Sequence, residues 1–263
     1  PAASAPVAQS AAMQGAAAVK RLVIAVPAPL NESNAATGIT GTSGWQLGPM
    51  YEWVASVDPA TGAYTPMLAE EWTLTNETIK FKFREGVQFH GDWGEMTADD
   101  VAFSFNDANS VTNPESIHGQ AGDFAPLLQS MEVVDKYKVR LNYRNYDSRG
   151  MLHRFSAFWQ TAAIVSKNVF DTTGVEGMQD IYVGTGAFVA DEWEQNKGIF
   201  ISANPNYWGT PLDKGPFVEK INWLEVPEGA SRRAMLETEE AQISQVATKD
   251  FPDLIAKGFK AQK

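Results

Sequence analysis

The sequence predicts an α/β fold of mixed α+β character, and three observations carry that reading. The run Leu22-Val23-Ile24-Ala25-Val26 is short, continuous and apolar and stops at Pro27, the pattern of a buried strand. Ile79, Phe81 and Phe83 alternate with Lys80, Lys82 and Arg84, so one face of a strand is buried and the other wet. Thr97 opens a helix on which Val101, Phe105 and Ala108 share one face. Strands mixed with helices, often in hairpin pairs, indicate a mixed sheet.

Each element has its own local signal. Residues 1–19 carry no charge and are mostly Ala, with Pro, Ser and Gln. They lack the basic start and apolar core of a signal peptide and read as a flexible spacer left after one was removed. A start at Pro1 without Met fits a processed numbering. The first strand begins at Arg21, and Pro27-Ala28-Pro29 ends it in a long loop, of a length that is usually functional or disordered. Residues 33–51 are free of charge, but Gly, Ser, Thr and Asn fill them, so they form a loop region and not a membrane span.

After the alternating strand, Glu85-Gly86 turns the chain into Val87–His90. Thr97-Ala98-Asp99-Asp100 has capping-box spacing, with Asp in place of Glu or Gln and acids in the first turn. Met131–Asp135 and Tyr137–Tyr143 form a second strand pair. Gly150–Ala157 reads as helical and Ala162–Val165 as a short buried run. Gly184-Thr185-Gly186 interrupts the chain where it must bend. Strands at Phe188–Trp193, Gly198–Ser202 and Val218–Val226 precede a helix over Ser231–Glu240 and another from near Lys249.

A chain of 263 residues buries roughly 70–75% of its unfolded surface, so its core needs no staple. With no cysteine, disulfides, thiol catalysis and Cys-based zinc sites are excluded. A net charge of −11 argues against nucleic acid, which demands clustered Lys and Arg. Residues 50–135 hold 15 acidic residues against Lys80, Lys82 and Arg84, which reads first as a solvated face.

Candidate chemistry is sparse. His90, His118 and His153 are scattered and lack ligand spacing, so no metal or cofactor is expected. Gly184-Thr185-Gly186 lacks the third Gly and the Lys of a phosphate loop. Acid pairs such as Glu70-Glu71, Asp99-Asp100 and Glu239-Glu240 keep a carboxylate hydrolase open as an alternative, although none is singled out. Of the eight tryptophans, Trp72, Trp193 and Trp223 sit in strand-like segments and read as core, whereas Trp45 and Trp159 sit in loops, where an aromatic stacks on ligands.

Three blocks then stand in one order: Glu70–Trp72 leading through Ile79–His90 to Thr97–Phe105; Gly184-Thr185-Gly186-Ala187-Phe188; and Asn204-Pro205-Asn206-Tyr207-Trp208-Gly209. Together they closely resemble the peptide/nickel-type extracellular solute-binding proteins of ABC transporters, from about residue 20 to the end. The chain departs from that pattern in four ways. His90 to Thr97 is one residue longer than the common spacing, and Ala187 stands where Pro is usual. In Leu236–Ile243, Glu239 replaces a Gly and Gln242 an Asp, and family members run to about twice this length.

The resemblance implies a periplasmic-binding-protein-like fold, here an N-terminal lobe with an inserted subdomain and the second lobe largely absent. On that basis residues 20–45 begin the lobe, 46–180 form the insertion and 181–263 return to the lobe. The implied function is capture of a small solute, most often a peptide, and its delivery to a membrane permease by hinged closure. A surface protein that reuses the fold to bind another protein is a further alternative. Gly184 and Gly186 read as hinge positions, because glycine takes φ/ψ values closed to other residues. Loops at strand ends make Leu30, Asn31, Glu32, Ser33 and Trp45, with Phe158, Trp159 and Gln160, the expected ligand contacts. Asp92 and Trp93 are alternatives that read more readily as a structural turn. The implied location is periplasmic or extracellular, free or lipid-anchored.

Overall fold

The computed structural model describes residues 20–27, 44–119, 121–158, 161–194 and 196–261. Along it, β1 (Arg21–Val26) precedes α1 (Gly44–Leu47), the small hairpin of β2 (Ala55–Val57) and β3 (Tyr64–Pro66), and the strands β4 (Ala69–Leu74) and β5 (Thr78–Phe83). Then come α2 (Ala98–Asp107), α3 (Ala121–Phe124), β6 (Leu128–Asp135), β7 (Lys138–Tyr143) and α4 (Lys167–Asp180). The last stretch holds β8 (Phe188–Glu194), β9 (Gly198–Ala203), β10 (Lys220–Glu225), α5 (Gly229–Glu237), β11 (Ile243–Ser244) and α6 (Phe251–Ala256).

These elements make two principal sheets. One has the order β11-β1-β10-β9-β8, so its strands come from both ends of the chain. In it β1 runs parallel to β10 and β11, while β8, β9 and β10 form an antiparallel meander. The other has the order β4-β5-β7-β6 and is antiparallel throughout. Ile79, Phe81 and Phe83 point inward, joined by Val139 and Leu141 of β7, and all are buried. The opposite face sets Lys80 against Arg140 and Lys82 against Lys138. Like charges directly opposed destabilise a sheet, and here the flanking strands answer them: Glu71 lies 3.6 Å from Lys82, Asp135 lies 2.7 Å from Lys138, and Glu132 pairs with Arg140. Part of the acidic excess therefore serves as the counter-charge of this wet face.

Helix α2 lays Val101, Phe105 and Ala108 onto the inner face of that sheet. The Phe105 ring sits 5.1 Å from Phe155 and 6.0 Å from Phe124, and Phe81 sits 5.8 Å from Phe155. The start of α2 is held by Asp100, whose Oδ2 accepts from Thr97 N at 2.8 Å and from the Thr97 hydroxyl at 3.0 Å. Asp100 Oδ1 also accepts from Lys167 N at 2.9 Å, which ties α2 to the first turn of α4. Most buried apolar residues form one continuous cluster from Ile24 and Val26 through the second sheet to Ile199 and Trp223, and Val23, Ala25 and Ala241 form a second, smaller one.

Several elements differ from the sequence reading. Gly150–Ala157 shortens to a single wide turn over Met151–Phe155. Ala162–Val165 is buried but joins no sheet; Ile164 N donates to Glu52 O at 2.9 Å and Val165 N to the Ser104 hydroxyl at 3.0 Å. Helix α4 leaves little periodic signal, because it is kinked at Gly174, where φ is +68°. Strands β2 and β3 are only three residues each, too short to show alternation. Trp223 is buried, while Trp72 and Trp193 pack against the core half-buried.

Helix α5 ends at Glu237, because Glu239 adopts φ +62°. The left-handed turn survives the replacement of the usual Gly at a cost of about 1–2 kcal/mol. Gln242 secures the chain beyond that turn: its Oε1 accepts from Val23 N at 2.8 Å and its Nε2 donates to Glu239 O at 3.1 Å. Glu239→Gly is expected to raise stability by about 0.5–1 kcal/mol after the greater chain entropy of glycine is subtracted, or roughly 1–3 °C in Tm. Calorimetry checks this, and an unchanged or lower Tm would show the turn to be unstrained.

Candidate functional site

Residues 48–57 form a spine between the two sheets. Met50, Tyr51, Trp53, Val54 and Ala55 are all buried along it. On one side, Gly186 N donates to Met50 O at 2.9 Å and Phe188 N to Pro49 O at 3.0 Å, so the segment leading into β8 crosses against the spine. On the other side, Trp53 Nε1 donates to Thr161 O at 2.9 Å and Ala157 N to Ala55 O at 2.8 Å.

The close crossing explains the glycines. A Cβ at Gly184 would stand 2.1 Å from Met50 O, and one at Gly186 would stand 2.5 Å from Pro49 O. Neither glycine has a left-handed φ, so the conformational freedom expected of them is not what the structure uses. Glycine is required because backbone meets backbone and no side-chain atom fits between.

Two side chains clasp this turn. His90 N donates to Gly184 O at 2.9 Å, Gly184 N donates to His90 Nδ1 at 3.3 Å, and Nε2 lies 3.0 Å from Gly186 O. Those contacts assign the proton to Nε2 in a neutral ring. Burial lowers the His90 pKa, against the bond to Gly186, and favours that neutral form. Asn204 closes the same turn, with Nδ2 donating to Gly186 O at 3.0 Å and N donating to Ala187 O at 2.8 Å.

At the centre is Glu52, only 2% exposed. Its Oε1 accepts from the Tyr207 hydroxyl at 3.0 Å, and its Oε2 from the Thr185 hydroxyl at 2.8 Å and Trp208 Nε1 at 2.7 Å. Burial pushes its pKa up to about 7, against the pull of those three bonds and of the nearby Lys214 charge. Arg84 and Lys214 lie over the Trp208 ring, 4.5 and 5.0 Å from its centroid. The three blocks of the sequence thus meet here through Arg84 and His90, Thr185, and Asn204 to Trp208. Sequence reasoning misses Glu52 itself; its only signal is a lone acid flanked by Tyr51 and Trp53 in an otherwise apolar stretch.

Of the expected ligand contacts, Leu30, Asn31, Glu32, Ser33, Trp159 and Gln160 lie outside the described residues, as does the side chain of Trp45. Phe158 is 57% exposed and lines a cavity of about 280 Å³ with Ser56, Val57, Pro59 and Ala157. The pairing of Ser156 with Ala55 ties the segment leading to Phe158 to the same spine as the crossing. Of the acid pairs, Glu70 and Glu71 meet Lys82 and Arg84, and Asp100 of its pair caps α2. Among the described residues no group of three or more His, Asp or Glu is placed to hold a metal ion, and no helix is long and apolar enough to cross a membrane.

Comparison with known proteins supplies the wider frame. A family model described as "Bacterial extracellular solute-binding proteins, family 5 Middle" matches residues 63–262. The Dipeptide-binding protein of Escherichia coli (strain K12) is 25% identical over 213 residues, which is 74% of this chain and 38% of that protein. The Oligopeptide-binding protein AppA of Bacillus subtilis (strain 168) is 24% identical over 176 residues, 65% of this chain and 30% of that one. The crystal structure of a dipeptide binding protein from Pseudoalteromonas sp. SM9913 in complex with Met-Leu superposes with a TM-score of 0.76 at 23% identity, covering 89% of this chain and 49% of its own. That likeness shows a periplasmic-binding-protein-like fold. The chain spans 30% to 49% of the length of these relatives.

Proposed function

The chain belongs to the bacterial extracellular solute-binding proteins of family 5, and from that premise we propose that it captures a small peptide for an ABC importer. The observation that carries this reading is the convergence of all three sequence blocks on one spine, together with relatives named for dipeptide and oligopeptide binding. The partner is a membrane permease, and the place of work is outside the cytoplasmic membrane, in the periplasm or tethered beside it. Residues 46–180 act as the inserted subdomain, and 20–45 with 181–263 as the lobe that carries it.

Ligand contact is assigned to Leu30, Asn31, Glu32, Ser33 and Trp45, with Phe158, Trp159 and Gln160. The apolar cavity beside Phe158 is suited to a side chain of the cargo. The hydrolase alternative is not favoured, because the relatives are named as binding proteins, and Glu70, Glu71 and Asp100 take part in salt bridges and a helix cap.

Thermal-shift titration of the 263-residue chain against di- to pentapeptides, oligosaccharides and metal ions tests the proposal. A peptide at 100 times its Kd is expected to add about 2.7 kcal/mol, several degrees in Tm. A saturable shift with oligosaccharide or metal alone would replace the cargo, and a melt unmoved by every probe would overturn capture by this chain.

A further inference from the structure

Glu52 is a buried carboxyl whose three hydrogen-bond donors come from other segments: Thr185 from the crossing turn, Tyr207 and Trp208 from the turn after β9. Its own segment is the spine. No salt bridge reaches it among the described residues, and the nearest cations, Arg84 and Lys214, are stacked on the Trp208 ring. A charge held this way lacks the ion pair that usually accompanies burial. The partners nevertheless suit a neutral acid as well. Tyrosine is both donor and acceptor, so a proton on Oε1 reverses the Tyr207 bond and leaves those from Thr185 and Trp208 in place.

We propose that Glu52, with Thr185, Tyr207 and Trp208, is a proton-operated latch between the two sheets. It is held shut when the carboxyl is protonated and released when the proton leaves and the carboxylate seeks water. The sign comes from linkage: an opening that hydrates Glu52 restores an ordinary carboxylate, so opening becomes easier as pH rises. The pKa raised to about 7 places the transition near neutrality.

Among the described residues, the other titratable groups around the crossing include Tyr51, whose ring lies against Gly184, and Tyr207, Arg84, Lys214 and His90. Burial raises the Tyr207 pKa, so its hydroxyl stays protonated across the range. Lys214 has a lowered pKa through burial and the neighbouring Arg84, with Glu52 opposing. On the far side of the turn, His90 has a lowered pKa and acts in the opposite sense, since an opened His90 gains a proton in acid. In the proposed importer component, such a latch would tie the stiffness of the crossing to the pH outside the membrane. The latch itself is tested without ligand, so it and the peptide reading can fail separately.

The test is amide exchange at Gly186 and Phe188, whose N–H groups donate to Met50 O and Pro49 O. Opening constants corrected for intrinsic exchange are measured from pH 5.5 to 8.5 in the whole chain and in Glu52→Gln. The ratio of wild-type to variant opening, in which the His90 contribution cancels, is expected to rise about 30-fold across that range. A ratio independent of pH overturns the latch. Should the variant fail to fold, the wild-type Glu52 carboxyl carbon and the Trp208 indole N–H are followed by NMR. A shared midpoint near 7 supports the latch, and a carboxyl that titrates in the usual carboxylate range overturns it.

Discussion

Gly184→Ala is expected to destabilise the protein by about 3 kcal/mol or more, or to prevent its accumulation as a folded chain. The added methyl would lie 2.1 Å from Met50 O and 2.9 Å from the Met50 carbonyl carbon, and both are backbone atoms. Backbone cannot swing aside as a side chain does. Relief would require parting the crossing from the spine, at the cost of the bonds from Gly186 N to Met50 O and from Phe188 N to Pro49 O. The comparison is Gly122→Ala, where a Cβ would meet nothing within 4 Å and helix propensity favours alanine. Urea unfolding of the two variants measures the contrast. A Gly184→Ala midpoint equal to wild type would show that the crossing and the spine are not in contact.

Removing the Glu52 carboxyl should cost a comparable amount. Glu52→Ala leaves the Thr185 and Tyr207 hydroxyls and the Trp208 indole N–H without their acceptor in the interior, a loss of about 3–5 kcal/mol. Glu52→Gln keeps an accepting oxygen and the volume, and should cost about 1 kcal/mol or less when the wild-type carboxyl is protonated. The pH dependence separates charge from shape. The folded-state pKa of about 7 lies above the ordinary value of 4.5, so the stabilising contribution is present in full below about pH 4.5 and is lost as pH rises through 7. That fall is of order 3 kcal/mol, and Glu52→Gln should lack it. His90, with a lowered pKa, stabilises with the opposite sign above its ordinary value, and the variant should retain that acid-side loss. Stability profiles from chemical denaturation decide the matter, and parallel profiles for the two proteins would refute the assignment.

Much of the fold was legible because its signals are local. The alternation over Ile79–Phe83, the run of β1 up to Pro27 and the capping spacing at Thr97–Asp100 each involve neighbours within a few residues. The structure keeps all three. Helix α4 was not legible, since a left-handed Gly174 breaks its period, and β2 and β3 are too short to leave one. The site was legible only as far as its motifs. Gly184 and Gly186 could be singled out, but the reason for them could not: the atoms that exclude a side chain belong to residues 49 and 50, far away in the chain.

What the sequence by itself determined is the elements with a local pattern, their order, and the resemblance of three blocks to one family. What only the tertiary structure decided is that these blocks close on Glu52. Its donors lie 133, 155 and 156 residues away, and no local pattern records such a distance. A lone acid among aromatics reads the same whether it faces water or is sealed from it. Burial alone separates the two cases, and burial is a property of the packed chain.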